Sequence, residues 1–189
     1  MVKNLIRKSL LEQGQLLSKN FIHKANIDIQ NAAIKHLDIK SSKNILSYFP
    51  YKNEVTLEII SQEFKKYKNN IFMPRIVSAN QLKFNLFKEN ATLEKNKYGI
   101  NEVKNENYLD PASFDLMFIP FVGIDKSGYR LGYGGGYFDR SLNKISFAEK
   151  KPIIVGLGYD FQILEESFAE SHDLKYDIVI TQTRIHSYS

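Results

Sequence analysis

Thirteen residues from Gly128 to Arg140, Gly-Tyr-Arg-Leu-Gly-Tyr-Gly-Gly-Gly-Tyr-Phe-Asp-Arg, hold five of the chain's ten glycines. Consecutive glycines at 134, 135 and 136 admit positive φ and let a ligand approach the main chain with no Cβ in the way. Two cations, Arg130 and Arg140, flank the run, and Asp139 follows it directly. Bare peptide N–H groups beside arginines suit a phosphate, and an acid beside them suits the phosphate's metal ion. The pattern is neither of two familiar phosphate loops. No Gly-Lys pair occurs anywhere, which excludes a P-loop, and Tyr137 stands where the dinucleotide fingerprint needs its third glycine. Glycines alone would read equally well as a tight turn; the arginines, aromatics and aspartate point to a site.

Other chemistries are poorly supported. The chain has no cysteine, so thiolate catalysis, disulfides and cysteine zinc sites are excluded. The four histidines (23, 36, 172 and 186) show no ligand spacing, and there is no Gly-x-Ser-x-Gly elbow for a serine nucleophile. Phosphate handling with magnesium remains, with Asp139 as the first candidate ligand and Asp177 and Asp173 next. No apolar run reaches the ~20 residues a membrane span needs, and the N-terminus lacks a signal-peptide core. A cytoplasmic protein without a membrane partner is expected. Residues 1–109 carry a net charge of +8 and residues 110–189 a net −3. That basic half, with its interspersed Tyr and Phe, is the only argument for nucleic acid. No nucleic-acid motif accompanies it, so none is expected as partner.

The elements that must position these groups follow from the apolar periodicity. Residues 3–18 read as a helix with Leu5, Ile6, Leu10, Leu16 and Leu17 on its apolar side, and Lys3 and Arg7 on one face. A second helix is expected over Asp28–Leu37 and a third over Val55–Tyr67. Buried strands are expected at Ile45–Phe49, at Ile71–Met73 (ended by Pro74-Arg75), at Leu116–Pro120 and at Ile153–Leu157, with Asp177–Thr181 as the last. Leu82, Phe84 and Leu86 alternate as in a half-exposed strand, and Phe138, Leu142 and Ile145 share a helical face. Residues 89–111 are polar and read as a long loop. The alternation predicts an α/β fold, a three-layer αβα sandwich around a largely parallel sheet, in a single domain over residues 1–189. Ligands in such sheets gather at the strands' carboxyl ends, which can bring Glu54, Arg75, the glycine loop and Tyr159 to one cleft.

The glycine loop with its flanks is similar to the signature of the 5-formyltetrahydrofolate cyclo-ligase family. The likeness extends through Lys3 and Arg7, Asn53-Glu54-Val55, Pro74-Arg75, Tyr98-Gly99-Ile100, Asp115 to Pro120, Gly158 to Gln162, His172-Asp173 and Asp177 to Thr181, in order and spacing over nearly the whole chain. Two places depart from the pattern: Asn101-Glu102-Val103 lacks a proline often found there, and Thr181-Gln182 replaces a usual Thr-Glu.

The resemblance implies ATP- and Mg2+-dependent closure of 5-formyltetrahydrofolate, free or polyglutamylated, to 5,10-methenyltetrahydrofolate, on an architecture similar to sugar-phosphate isomerases and CoA transferases. Those enzymes would need no ATP, so nucleotide dependence separates the readings. The resemblance also implies residue roles. Lys3, Arg7, Arg75, Arg130, Leu131, Gly132, Tyr133, Gly134, Gly135, Gly136, Tyr137 and Phe138 would bind ATP. Phe49, Glu54 and Tyr98 would bind the folate together with Tyr133 to Tyr137. Asp139 and Asp177 would hold magnesium, with Arg130, Tyr137 and Asp139 as the catalytic group. A monomer is expected.

Overall fold

The structure, a computed structural model, describes residues 2–79, 81–143, 145, 150–170 and 172–188. Its sheet has the strand order β11-β10-β9-β6-β1-β2-β3. These strands are β1 Asn44–Leu46, β2 Asn70–Ser78, β3 Gln81–Phe87, β6 Leu116–Phe118, β9 Ile153–Leu157, β10 Ile178–Ile180 and β11 Ile185–Ser187. The five inner strands, β10, β9, β6, β1 and β2, are mutually parallel. The two edge strands β3 and β11 are antiparallel. The mostly parallel sheet flanked by helices is the fold class expected from the alternation of apolar runs.

One face of the sheet is covered by α2 (Lys19–His36) and α3 (Glu58–Tyr67), whose Ala25, Ile29, Ala33, Ile60 and Phe64 are buried against Ile45, Leu116, Phe118 and Val155. Each fully buried aliphatic side chain stabilises the fold by roughly 1.5–3 kcal/mol. Helix α3 has no capping side chain of its own; buried Gln30 of α2 accepts the Ile59 N–H (2.8 Å) and Ile60 N–H (3.3 Å) instead. On the other face, Leu46, Met117, Ile119, Phe84, Phe114 and Tyr176 meet Leu142 from α4 (Tyr137–Leu142) and Ile145 beyond it.

Several elements differ from the sequence expectation. The first helix, α1, spans Val2–Gln15 and stops short of residue 18, because Ser18 caps the next helix by accepting the Phe21 N–H at 3.2 Å. That cap starts α2 nine residues before Asp28. Of the apolar side expected for α1, Leu10 is buried but Leu5 and Leu16 are exposed.

Strand β2 does not end at Pro74 but runs through it to Ser78. Its neighbour β1 is only three residues long and leaves after Leu46. The Ile76 N–H, on the same edge as the nitrogen of Pro74, donates to the Glu102 side chain at 3.0 Å rather than to a strand. Pro74, which has no N–H to give, stands where the ladder with β1 has made its last bond, from the Ser47 N–H to the Phe72 carbonyl at 2.9 Å. Residues 89–111 are not an open loop either, for β4 (Leu93–Lys95) and β5 (Asn101–Val103) form a hairpin with Val103 fully buried. Finally, Ile178–Ile180 is not the last strand, since β11 follows it.

Candidate active site

A second short hairpin, β7 (Gly123–Ile124) and β8 (Arg130–Leu131), delivers the glycine loop to the carboxyl ends of β6 and β1. Gly134 has φ +98° and Gly136 has φ +61°, the latter at the start of α4. Side chains rarely adopt either conformation, so glycine is required at both. Among the described residues, no backbone N–H from Gly132 to Gly136 donates to another backbone carbonyl. The loop's amides are thus open to a ligand.

Of the cations expected around the loop, Arg7, Arg130 and Arg140 arrive there. Arg7 of α1 donates from Nε to the Gly132 carbonyl at 2.7 Å. Its guanidinium is held below the ordinary arginine range, first by burial and then by the charge of Arg130. Arg140 donates to the Gly135 carbonyl. Arg130 lies buried beneath the loop, donating from Nε to the Pro120 carbonyl (3.0 Å) and pairing through Nη1 with Asp139 (3.0 Å). Burial alone would lower its pKa, yet the facing Asp139 carboxylate holds it above the usual value. Lys3 pairs with Asp173 at 2.6 Å and with Glu170 at 3.4 Å.

Beside the loop a cavity of about 350 Å³ is walled by aromatic and aliphatic side chains, with the loop and Arg130 along one side. Phe49, Pro74, Ile76 and Leu82 line it, and Phe49 meets Phe87 edge-on at 5.7 Å. Tyr98, at the tip of the β4–β5 hairpin, reaches over to Tyr137; the rings are 6.4 Å apart and the hydroxyls 3.5 Å. A second cavity, about 390 Å³, lies under α1 between Leu10, Gly14, Val55, Tyr159 and Phe161. The two cavities have three lining residues in common: Lys52, Glu54 and Tyr133.

Glu54 sits in a turn that the fold holds tightly. Tyr48 Oη donates to the Val55 carbonyl (2.7 Å), Asn53 Nδ2 to the Gly14 carbonyl (2.6 Å), and the Tyr51 N–H to Glu54 Oε2 (2.7 Å). Burial raises the Glu54 carboxyl to about 7, although the Tyr51 N–H and the Arg130 charge pull the other way. A carboxyl poised there can accept from a ligand's N–H groups when ionised and donate to an acceptor when protonated.

Two expected site residues lie elsewhere. Arg75 points away from the cavity that its neighbours Pro74 and Ile76 line, because alternate side chains of a strand face opposite ways. It donates to the Asn105 carbonyl (3.0 Å) and pairs with Glu94 (3.3 Å), so it supports the β4–β5 hairpin rather than an anion. Asp177 precedes β10 at the sheet's amino edge, with Oδ2 accepting the Ile154 N–H at 2.7 Å. The structure does not bring it to Asp139. Asp173 is the acid that comes near: the next residue, Leu174, donates its N–H to Asp139 Oδ1 at 3.3 Å.

Among the described residues no three Asp, Glu or His side chains cluster to hold a metal ion unaided. Magnesium needs only one or two protein carboxylates when phosphate oxygens supply the rest. Asp139, with acceptor capacity beyond its Arg130 contact, and Asp173 fit such an ion delivered with a nucleotide.

Lys52, Tyr51 and Asn96 were not singled out in the sequence, yet all three line the aromatic cavity. A proline-bounded strand end was the signal available for the first two. Asn96, in the hairpin, carried none, because β4 and β5 are three-residue polar strands.

Known proteins match nearly the whole of the chain. A profile described as the 5-formyltetrahydrofolate cyclo-ligase family matches residues 1–182. The chain is 32% identical over 184 residues to the 5-formyltetrahydrofolate cyclo-ligase of Mycoplasma pneumoniae, covering 95% of this chain and 98% of that one. It is 30% identical over 163 residues to the enzyme of that name from Haemophilus influenzae, covering 84% and 86%. The solution structure of Aquifex aeolicus 5,10-methenyltetrahydrofolate synthetase superposes with a TM-score of 0.84 at 27% identity, covering 99% of this chain and 93% of the other.

Proposed function

The chain belongs to the 5-formyltetrahydrofolate cyclo-ligase family, and on that premise we propose that it closes 5-formyltetrahydrofolate to 5,10-methenyltetrahydrofolate at the expense of ATP and with magnesium, releasing ADP and phosphate. The observation that carries this reading is the glycine loop with unpaired amides set between Arg7 and the wall of an aromatic cavity that holds Glu54. The enzyme would work in the cytoplasm as one catalytic domain spanning residues 1–189.

The chemistry explains why such a site is needed. The N5-formyl group is an amide, with a weakly electrophilic carbon and an oxygen that cannot leave as oxide. Transfer of the γ-phosphoryl group to that oxygen breaks the β,γ P–O bond, whose electron pair goes to ADP. The substrate's own N10 then attacks the activated carbon, loses its proton, and the oxygen departs as phosphate. No protein nucleophile takes part, consistent with a chain that has no cysteine. The protein's task is positioning and charge stabilisation.

In this reading Phe49, Glu54 and Tyr98 hold the folate in the aromatic cavity, with Glu54 facing the pterin. Gly132 to Tyr137, Arg7 and Arg130 hold the phosphates, and Lys3 orders the neighbouring acidic segment. Magnesium, carried by Asp139 and Asp173, would offset charge on the phosphates. No described helix is long and apolar enough to cross a membrane.

The test is direct: purified protein, 5-formyltetrahydrofolate and Mg-ATP should generate the methenyl chromophore, with one ADP per product. ATP-independent product, or none from folded protein, defeats the proposal. The placement of Arg75 makes a second prediction. Arg75→Ala should leave the KM for ATP within about twofold of wild type and cost no more than ~1 kcal/mol of stability, as for other partly exposed ion pairs. Steady-state kinetics and thermal melts check both.

A further inference from the structure

Lys52 has a backbone conformation that lysine rarely takes, with φ +54°; among the described residues only Lys68, which ends α3, is another non-glycine with positive φ. The helix end explains Lys68. Lys52 is the second residue of a β-turn closed by the Glu54 N–H on the Tyr51 carbonyl at 3.2 Å, a position that ordinarily falls to glycine or asparagine when φ is positive, and it lies between β1 and α3 where the two cavities meet. An unfavourable conformation of this kind persists only where the surroundings enforce it, and it is often found at functional sites.

Several other cations near the cavities face partners of their own, although Lys97 lies over two cavity rings, those of Tyr98 and Tyr137 at 5.1 and 5.9 Å, with no carboxylate within ion-pair distance among the described residues. Arg130 faces Asp139, Lys3 faces Asp173, Arg75 faces Glu94, and Arg7 donates to the Gly132 carbonyl. Lys52 has no carboxylate within ion-pair distance among the described residues. Its Nζ stands instead 5.1 Å from the ring centre of Tyr51 and 5.7 Å from that of Tyr133, two rings that meet edge-on at 5.3 Å. Tyr133 belongs to the glycine loop. The ammonium is therefore held by aromatic faces, with its charge unspent, at the junction of the two cavities. Of the three residues common to both, it alone is a cation.

We infer that Lys52 is a catalytic residue: its ammonium contacts the phosphoryl group in flight between the nucleotide and the formyl oxygen. This rests on the reading of the two ligands given above. The ammonium stays protonated throughout and exchanges no atom. It neutralises charge on the phosphoryl oxygens as the bond to ADP breaks and the bond to the formyl oxygen forms, an interaction strongest in the transition state. Glu54, two residues on, fixes the folate while Lys52 meets the group being transferred, so a single turn would orient both reactants.

The test uses Lys52→Asn, since asparagine accepts positive φ better than lysine does. Expected is a fall in kcat of about 30- to 100-fold, with KM for ATP and folate changed less than about threefold and a melting temperature equal to or above wild type. Lys52→Arg, which keeps the charge, should recover most of the loss. A kcat for Lys52→Asn within threefold of wild type would overturn the inference, as would a loss of activity that merely tracks a lower melting temperature. Binding of ADP with fluoroaluminate, a mimic of the phosphoryl group in transit, supplies an arm that does not depend on turnover. Lys52→Asn should weaken that complex at least tenfold while ADP alone binds as before; equal affinities for the mimic would also overturn it. A wild-type chain that cyclised no folate would remove the assigned reaction, and the fluoroaluminate measurement would still decide Lys52.

Discussion

Asp139→Asn should lower ATP-dependent turnover about a hundredfold or more, the scale of losing a charge aimed at the reacting phosphates. Asp139→Ala should do so too, but it should also destabilise the protein by about 3–5 kcal/mol, because it strands a buried cation. That difference follows from the pair with Arg130, in which both side chains are largely shielded from water. Asparagine keeps an acceptor for Arg130 and for the Leu174 N–H, so it should melt closer to wild type than alanine does. A double variant, Arg130→Met with Asp139→Leu, separates scaffold from chemistry. Replacing a buried ion pair by apolar groups of similar size is often neutral for stability. Its melting temperature should therefore recover towards wild type while turnover stays lost. Wild-type turnover in Asp139→Asn would remove this carboxylate from the metal.

Glu54→Gln should show the opposite stability effect at alkaline pH. The Glu54 carboxyl, raised to about 7 chiefly by burial, keeps its proton in the folded chain over a range in which the unfolded chain has released it. The folded state thus binds more protons between roughly pH 4.5 and 7, and its stability falls as pH rises through that window. Above it the penalty is constant, about 3 kcal/mol for a displacement of some 2.5 pH units. Glutamine cannot ionise. The variant should match wild type near pH 4.5 and exceed it at pH 8 by up to that amount, as read from denaturant melts at the two pH values. In kinetics the same change should raise the KM for folate by at least about tenfold, with little effect on ATP, because it removes one charged hydrogen-bond partner of the substrate. Equal losses for both ligands would move Glu54 out of the folate cavity.

The glycine loop was legible from its composition, and Glu54 from its place after a strand; the roles of Phe49, Glu54 and Tyr98 came from the family resemblance, and the structure sets all three along the aromatic cavity. Arg75 and Asp177 were misplaced for the same physical reason: a motif locates a residue along the chain but not around it. Strand alternation turns Arg75 away from the cavity, and the start of β10 sends Asp177 to the wrong edge of the sheet. The β4–β5 hairpin escaped notice because its strands are too short and polar to show alternation. Its burial depends on Glu102 and Val103 finding β2, a contact between distant segments. Lys52 was invisible for a deeper reason, since an uncommon φ leaves no mark on residue type when the residue is lysine.

The brevity of β1 has an architectural meaning. Past Leu46 and the Ser47 N–H that still reaches the Phe72 carbonyl, β2 continues for several residues with no parallel neighbour on that side. The aromatic cavity, lined by Pro74 and Ile76, opens into this unfilled row, so the space for a ligand is created by omission of chain rather than by excavation of a finished core. A lineage that added two or three pairing residues after Leu46 would gain backbone hydrogen bonds and forfeit catalysis.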